Sequence, residues 1–246
     1  QDSLLREYAL KWLEKYPDNQ VAQHMGNAVL NRAVRPRAND EYLKNIFDIF
    51  APDFEQVLTG LDYRAPELIR CLLEEIYGSK KSPRLRILDA GCGTGFCGGF
   101  LKKYSSFRGL YGVDISEKML EQAQAKKVYS HLLQSELEQY FSQAKTKFDL
   151  IVSADVFTYF GSLEKLLSGM ADSLSAGGRV IFTVSENNLN DDDYFLHSSG
   201  RYLHHQNYVG KVLEKAGFEV EKLERAKLRN EGENIVYGYV VSALKK

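Results

Sequence analysis

From residue 4 to residue 13 apolar side chains recur at helical spacing: Leu4, Leu5, Tyr8, Ala9, Trp12 and Leu13. The run breaks at Tyr16-Pro17-Asp18-Asn19, and Val21, Ala22, Met25, Ala28 and Val29 resume it. The pattern predicts a helical hairpin over residues 1–35. A polar linker, Arg35-Pro36-Arg37-Ala38-Asn39-Asp40, leads into a second helical stretch within residues 36–83, marked by Tyr42, Ile46, Phe47, Phe50, Phe54 and Leu58. Its aromatics read first as core packing and second as a lid over a site. All five prolines precede residue 84, which places a domain boundary there. Beyond it, strand and helix patterns alternate, with strands over 85–90, 110–114, 128–133, 148–154 and 179–184. Ser116 is placed to cap one intervening helix, and Ser162 a second one closed by Gly177-Gly178. A last helix over 206–216 is followed by two strand-like runs, 218–229 and 234–243, joined by Asn230-Glu231-Gly232-Glu233. The chain therefore reads as an α/β fold: a doubly wound, mainly parallel sheet of seven strands, closed by an antiparallel hairpin and preceded by an all-helical N-terminal extension.

Composition narrows the classes that this architecture could serve. Of 246 residues, 32 are Lys or Arg and 33 Asp or Glu, a net charge of -1, which argues against a protein that coats nucleic acid or anionic membrane by bulk charge. Hydrophobic residues at 44% exclude disordered and fibrous classes. No stretch approaches ~18 uninterrupted apolar residues, and the first thirty lack a secretory pattern, so a cytoplasmic location is expected, with no membrane partner. The opening Gln1 is read as a trimmed start. Cys71, Cys92 and Cys97 form neither an even disulfide set nor a Cys-x-x-Cys clip, which predicts free thiols and no metal. Asp191-Asp192-Asp193 reads as a solvated loop.

The densest chemical signal is Ile87-Leu88-Asp89-Ala90-Gly91-Cys92-Gly93-Thr94-Gly95-Phe96, an apolar strand running into a loop with glycine at alternate positions and then a helix. Glycine lets a ligand approach the backbone, and free N–H groups at such a turn suit a carboxylate or phosphate. A ligand-free strand-to-helix turn would use the same residues. Nineteen residues after Gly95, however, a second strand ends at Asp114, where a carboxylate can accept hydrogen bonds from both hydroxyls of a ribose. The alternative for Asp114 is a role at the N-terminus of the Ser116 helix. Strand, loop, helix, strand and acid in this order imply a nucleoside cofactor. The bulky Phe96 stands where a dinucleotide fingerprint needs its third glycine, so NAD is disfavoured. Tyr77 and Lys81 match a Tyr-x-x-x-Lys pair, but upstream of the glycine loop, and are read as coincidence. Neither a P-loop ending nor a His-x-Glu zinc signature is present.

The segment Asp89 to Gly95 resembles the first motif of class I S-adenosylmethionine-dependent methyltransferases, and residues 113–120, starting Val113-Asp114-Ile115-Ser116, resemble the segment that follows it. The resemblance spans about residues 84–246, which become the expected cofactor-binding catalytic domain. It implies S-adenosyl-L-methionine as cofactor, its methionine end at Gly91, Cys92, Gly93 and Gly95 with Asp89 as organiser, and its ribose on Asp114. Ile115 and Met119 would flank the adenine, with Ser135 and Glu136 near it. Residues 149–159 resemble a further family segment, whose strand-end residues Ser153, Ala154, Asp155 and Val156 would line the cofactor and face the substrate. More narrowly, residues 153–161, 200–204, 47–54 and 61–66 look like a group of small-molecule methyltransferases attached to tetratricopeptide-type helices. In that light residues 1–35 could be the end of a helical array that meets a protein partner, and 36–83 a helical lid.

Such an enzyme needs a cofactor cradle, a closed pocket and, for many acceptors, a base. His204 is the candidate base, favoured over its neighbour His205 by the Arg-Tyr-x-His spacing, with Tyr202 and Tyr159 shaping the pocket. Arg64 could pair with the cofactor's carboxylate, with Tyr63 beside it. The expected substrate is a small molecule, one bearing an acyl chain or a polar acid. Two other classes stay open: a cofactor-binding scaffold with weak or no transfer, and a protein or nucleic-acid methyltransferase. The last is disfavoured by the balanced charge and by the absence of an Asn/Asp-Pro-Pro-aromatic motif at residues 153–156. The acceptor atom and the oligomeric state are not legible here.

Overall fold

A computed structural model describes residues 2–32, 35–78 and 84–246. The predicted boundary at Pro83, and Lys81 of the Tyr-x-x-x-Lys match, lie outside the described residues. The chain opens with α1 (Asp2–Lys15) and α2 (Gln20–Leu30), separated by the Pro17 break. The Asn19 side chain accepts from the Ala22 amide at 2.9 Å, which satisfies an N–H group that the first turn of a helix leaves free. Then come α3 (Asp40–Phe50), a 3-10 turn (Ala51–Asp53), α4 (Phe54–Gly60) and α5 (Ala65–Tyr77). Asn39 caps α3, and Pro52, which has no backbone N–H to donate, stands where the helix gives way to the 3-10 turn.

The strand–helix alternation follows: β1 (Leu85–Ala90), α6 (Gly98–Tyr104), β2 (Ser105–Asp114), α7 (Glu117–Ala125), β3 (His131–Gln134), α8 (Leu137–Gln143), β4 (Phe148–Ser153), a 3-10 turn (Phe157–Tyr159), α9 (Glu164–Ser173) and β5 (Leu174–Ser185). The chain closes with β6 (Tyr194–Leu196), β7 (Tyr202–His204), α10 (Gln206–Lys215), β8 (Phe218–Glu231) and β9 (Asn234–Lys245). The main sheet has the order β3-β2-β1-β4-β5-β9-β8, with β9 antiparallel to both β5 and β8. The hairpin turns at Gly232, whose φ of 60° suits the left-handed region. β6 and β7 form a separate two-stranded ribbon that periodicity did not predict, because each holds only three residues.

Period-two alternation sends Ile87 of β1 to one face of the sheet and Leu88 and Ala90 to the other. On one side α5 and α6 bury Ile69, Leu73 and Leu101; on the other α8, α9 and α10 bury Phe141, Leu167 and Val209. The parallel strands thus have both faces covered, which requires near-continuous apolar runs such as Leu150-Ile151-Val152. Ser116 caps α7 as expected, accepting from the Met119 amide at 3.1 Å. The α9 prediction needs correction: Ser162 bonds Glu164, Leu163 stands at the N-cap without a side-chain bond, and the helix runs directly into β5 at Leu174. The N-terminal helices join the rest through a third apolar cluster, in which Ala28 of α2 and Tyr42 and Leu43 of α3 pack against Leu196 and Tyr202 of the ribbon. Among the described residues no helix is long and apolar enough to cross a membrane.

Candidate active site

The carboxyl ends of β1, β2 and β4 converge where the strand order reverses, and a cavity of about 430 Å³ opens there. Its floor begins at the glycine loop after β1. Gly91 has φ 73°, and a Cβ on it would lie 2.4 Å from Val156 Cγ2; at Gly95, φ 82°, it would lie 2.8 Å from the Tyr129 ring. Both glycines are therefore demanded by the protein's own packing. Gly93 is different, because a Cβ there would meet only Phe54, at 3.7 Å. Four of the loop's N–H groups are already committed within the protein. Gly91 and Cys92 donate to the Val113 carbonyl at 2.8 and 3.0 Å, Gly93 to Asp114, and Gly95 to the Cys92 carbonyl. The loop therefore offers close approach, with the amides of Gly91, Cys92, Gly93 and Gly95 withdrawn from the set of donors.

Asp114, at the end of β2, is nearly buried, and each of its oxygens accepts one backbone N–H: Oδ2 from Gly93 at 2.8 Å and Oδ1 from Ser116 at 2.9 Å. Burial raises its pKa, and the backbone donors work against that rise. A carboxylate oxygen accepts about two hydrogen bonds, so the Asp114 carboxylate keeps acceptor capacity at the cavity wall. Asp89, one strand away, accepts the Tyr129 hydroxyl at 2.6 Å, and burial pushes its carboxyl up to about 7. Ile115 and Met119 follow Asp114 along the wall, and Ser135 and Glu136 stand nearby. Both Glu136 oxygens cap α8, accepting from the Glu138 and Gln139 amides at 3.0 and 2.9 Å.

At the end of β4, Ala154, Asp155, Val156 and Tyr159 border the same cavity. Ser153 does not: it is buried, and its hydroxyl donates to the Ala90 carbonyl at 2.8 Å. Asp155 is held in the left-handed region, φ 56°, with its amide on Thr183 Oγ1. Both of its oxygens lie 2.9 Å from Arg229 Nη1, so this acid is fixed in an ion pair. Arg229 in turn donates through Nε to Glu231 at 3.0 Å, and Glu231 also accepts from Arg201. Neither arginine carried a predicted role. The sequence signal for Arg201 was its place in the family-like run 200–204; for Arg229, deep in an edge strand, no signal exists.

The remaining wall is the segment from α3 to α4, with Tyr42, Ile46, Phe47, Phe50, Phe54 and Leu58 facing the cavity. Three polar bonds tie this segment to α7 and the glycine loop. Ser116 Oγ donates to Asp48 at 2.6 Å, Gln122 to the Ala51 carbonyl at 2.6 Å, and Thr94 to Glu55 at 2.6 Å, with Lys126 also on Glu55. Met25 of α2 reaches the cavity as well, a contribution without any sequence signal.

Besides Ser153, four expected site residues stand elsewhere. His204 is fully buried, its Nε2 is 2.8 Å from the Phe160 carbonyl, and burial pushes its imidazole down to about 4. Its Nδ1 has no partner, which fits a neutral ring with the proton on Nε2. Tyr202 is buried under α2 and donates to the Arg35 carbonyl at 2.8 Å. Arg64 is half exposed, 3.8 Å from Asp62, while its neighbour Tyr63 does line the cavity. Gly95 sits behind the loop against Tyr129. Among the described residues no group of three or more His, Cys, Asp or Glu is placed to hold a metal ion.

The fold, a Rossmann-like seven-stranded mixed sheet with a cavity where the strand order reverses, is that of solved S-adenosylmethionine-dependent methyltransferases. Residues 88–182 match the family described as a methyltransferase domain. Over 89 residues it is 43% identical to methyltransferase-like protein 27 of Homo sapiens, covering 36% of this chain and 35% of that protein. Over 151 residues it is 26% identical to malonyl-acyl-carrier-protein O-methyltransferase of Priestia megaterium, covering 61% of this chain and 53% of the relative. The chain thus spans from about a third to a half of these relatives' lengths. The structure resembles magnesium protoporphyrin IX methyltransferase from Synechocystis with bound S-adenosylhomocysteine: TM-score 0.65, 19% identity, 85% of this chain and 100% of that one. It also resembles 1,6-didemethyltoxoflavin-N1-methyltransferase from Burkholderia thailandensis, TM-score 0.63, 19% identity, 87% and 92% covered. At such identities the likeness is one of fold.

Proposed function

We propose that this chain transfers a methyl group from S-adenosylmethionine to a small-molecule acceptor by in-line displacement. The observation that carries the reading is a single cavity bordered by Gly93 and Asp114 at one end and by Asp155, Val156 and Tyr159 at the other. Cofactor and acceptor can therefore meet without a barrier between them, where a blocked acceptor end would have favoured a scaffold. The donor set fits an adenosine: a carboxylate with spare lone pairs for a diol, the apolar Ile115 and Met119 beside it, and a loop whose Gly93 leaves room for close approach. When bound, the cofactor supplies a sulfonium methyl, to which an acceptor lone pair bonds as the carbon–sulfur bond breaks and its electrons stay on sulfur.

The chain's own part is positioning, which can contribute about 7–11 kcal/mol. Asp114 orients the ribose hydroxyls, and the α3–α4 segment, latched through Asp48 and Glu55, excludes water as a lid. No histidine is found among the described residues lining the cavity, and Asp155 is held by Arg229. That favours an acceptor already ionised at neutral pH, such as a carboxylate. Several relatives bear the name malonyl-acyl-carrier-protein O-methyltransferase, which agrees with an acidic acceptor. In this reading residues 84–246 form the catalytic domain, 36–83 the lid and 1–35 an extension. Leu4, Tyr8 and Trp12 are exposed on α1, which supports a protein partner there. Calorimetry with S-adenosylhomocysteine tests the core of the proposal: saturable 1:1 binding is expected, and absence of binding would overturn it.

A further inference from the structure

Arg201 stands in the cavity wall, on the loop between β6 and β7. Of the described residues that border the cavity it is the only cation. Its Nη1 donates to Glu231, and its guanidinium lies beside the Tyr159 hydroxyl. Glu231 is shared, since it also accepts from Arg229, whose Nη1 is already committed to Asp155. The Nε–H of Arg201 is buried and has no acceptor within the protein. A buried donor left unmade is costly, and in native structures such a group is explained by strain, by a functional role, or by a bound water or ion. A planar guanidinium can serve two acids at different edges, so the contact with Glu231 does not exhaust it.

The surroundings fix what kind of molecule could bring the missing acceptor. The preceding residue, Gly200, has Met25 and Tyr42 against it, with Met25 Sδ 2.5 Å and the Tyr42 hydroxyl 3.2 Å from where a Cβ would stand. Phe47 packs edge-on against Tyr159 at 5.3 Å between ring centres. The cation is thus set in an apolar, aromatic wall built by α2, α3 and the end of β4. None of its bonded partners belongs to the glycine loop.

Resting on the methyltransferase reading above, we propose that Arg201 anchors the carboxylate of an acceptor whose remaining body is apolar. The substrate class is then an amphiphilic carboxylic acid, and Arg201 is the residue that selects the acid over its neutral counterpart. The other possible source of a carboxylate is the amino-acid end of the cofactor, and the test separates the two.

The full chain, saturated with S-adenosylhomocysteine, is titrated by calorimetry with butanoate, octanoate and 3-phenylpropanoate, each against its amide. At least one acid is expected to bind about tenfold or more tightly than its amide, as a charge-assisted hydrogen bond predicts. Arg201→Gln should abolish that preference, Arg201→Lys should keep part of it, and S-adenosylhomocysteine affinity should change less than about twofold in both. Equal binding of every acid and its amide to the unaltered chain would overturn the proposal without recourse to a variant. So would a preference that survives Arg201→Gln. A large loss of S-adenosylhomocysteine affinity in Arg201→Gln would reassign the arginine to the cofactor. Failure of the unaltered chain to take S-adenosylhomocysteine would instead remove the methyltransferase reading itself.

Discussion

The Gly93 amide donates to Asp114 Oδ2 at 2.8 Å, so the glycine loop after β1 and the carboxylate at the end of β2 are one bonded unit. The acid that would hold the ribose also sets the shape of the loop beneath the cofactor. Asp114→Ala should therefore act twice. It removes the hydroxyl acceptor and leaves the Gly93 and Ser116 amides without their partner. Loss of a charged hydrogen-bond partner weakens S-adenosylhomocysteine binding by about 1.5–3 kcal/mol, readable by calorimetry, and unfolding in urea should show a drop in stability of about 1–3 kcal/mol.

Gly91 and Val156 form a second coupled pair. A methyl group on Gly91 would sit 2.4 Å from Val156 Cγ2 in a backbone region that L residues rarely adopt. Gly91→Ala should cost about 1–3 kcal/mol from the backbone alone. The added clash should appear as a further loss that Val156→Ala recovers in the double variant. A double-mutant cycle on urea midpoints measures the coupling, and strict additivity would show that the contact carries no cost.

His204 gives a prediction with a pH signature. Burial holds its imidazole near 4, below the ordinary 6.5. As pH falls through 6.5 the unfolded chain takes up a proton that the native chain refuses. The stability present above pH 6.5 is therefore lost progressively between pH 6.5 and 4, by about 3 kcal/mol in total. Asp89 works the other way, since a carboxyl raised to about 7 contributes most below pH 3.8 and loses that contribution as pH rises through 7. Comparing the unaltered chain with His204→Phe at the same pH cancels Asp89. At pH 7.5 the variant should be less stable by about 1–3 kcal/mol, because the Phe160 carbonyl loses its donor. By pH 5 the gap should close or reverse. Methyl transfer per folded molecule should be unaffected, and a variant that folds but fails to turn over would return His204 to the chemistry.

Arg229 holds two acids at once, Asp155 and Glu231, from a position 1% exposed. Arg229→Met should destabilise the chain by about 3–5 kcal/mol, the usual cost of leaving buried charges unpaired. Adding Asp155→Asn should recover part of this by removing one stranded charge. Thermal unfolding of the three proteins tests the order; a single variant as stable as the unaltered chain would show that the pair is not needed.

What the chain determined locally was legible. The alternation that built β1 to β5, the Ser116 cap and the carboxylate of Asp114 all follow from residues within about twenty positions of one another, where periodicity and backbone preference act directly. The glycine loop was legible in kind but not in use, because whether its amides are free depends on Val113 and Asp114 of the next strand. Ser153 was expected at the pocket from a family-like segment, His204 from the Arg-Tyr-x-His spacing and Tyr202 as shaping it, yet each is buried in the core. Periodicity reports that a face is apolar; it does not report what lies opposite.

Only the tertiary structure decided the end of the cavity around Asp155 and Arg201. Asp155 meets Arg229 across 74 positions and Arg201 meets Glu231 across 30, and Met25 reaches Gly200 from a helix that looked separate. Such pairings are set by how layers pack and by the need to neutralise charge out of water, conditions that no single segment of sequence contains.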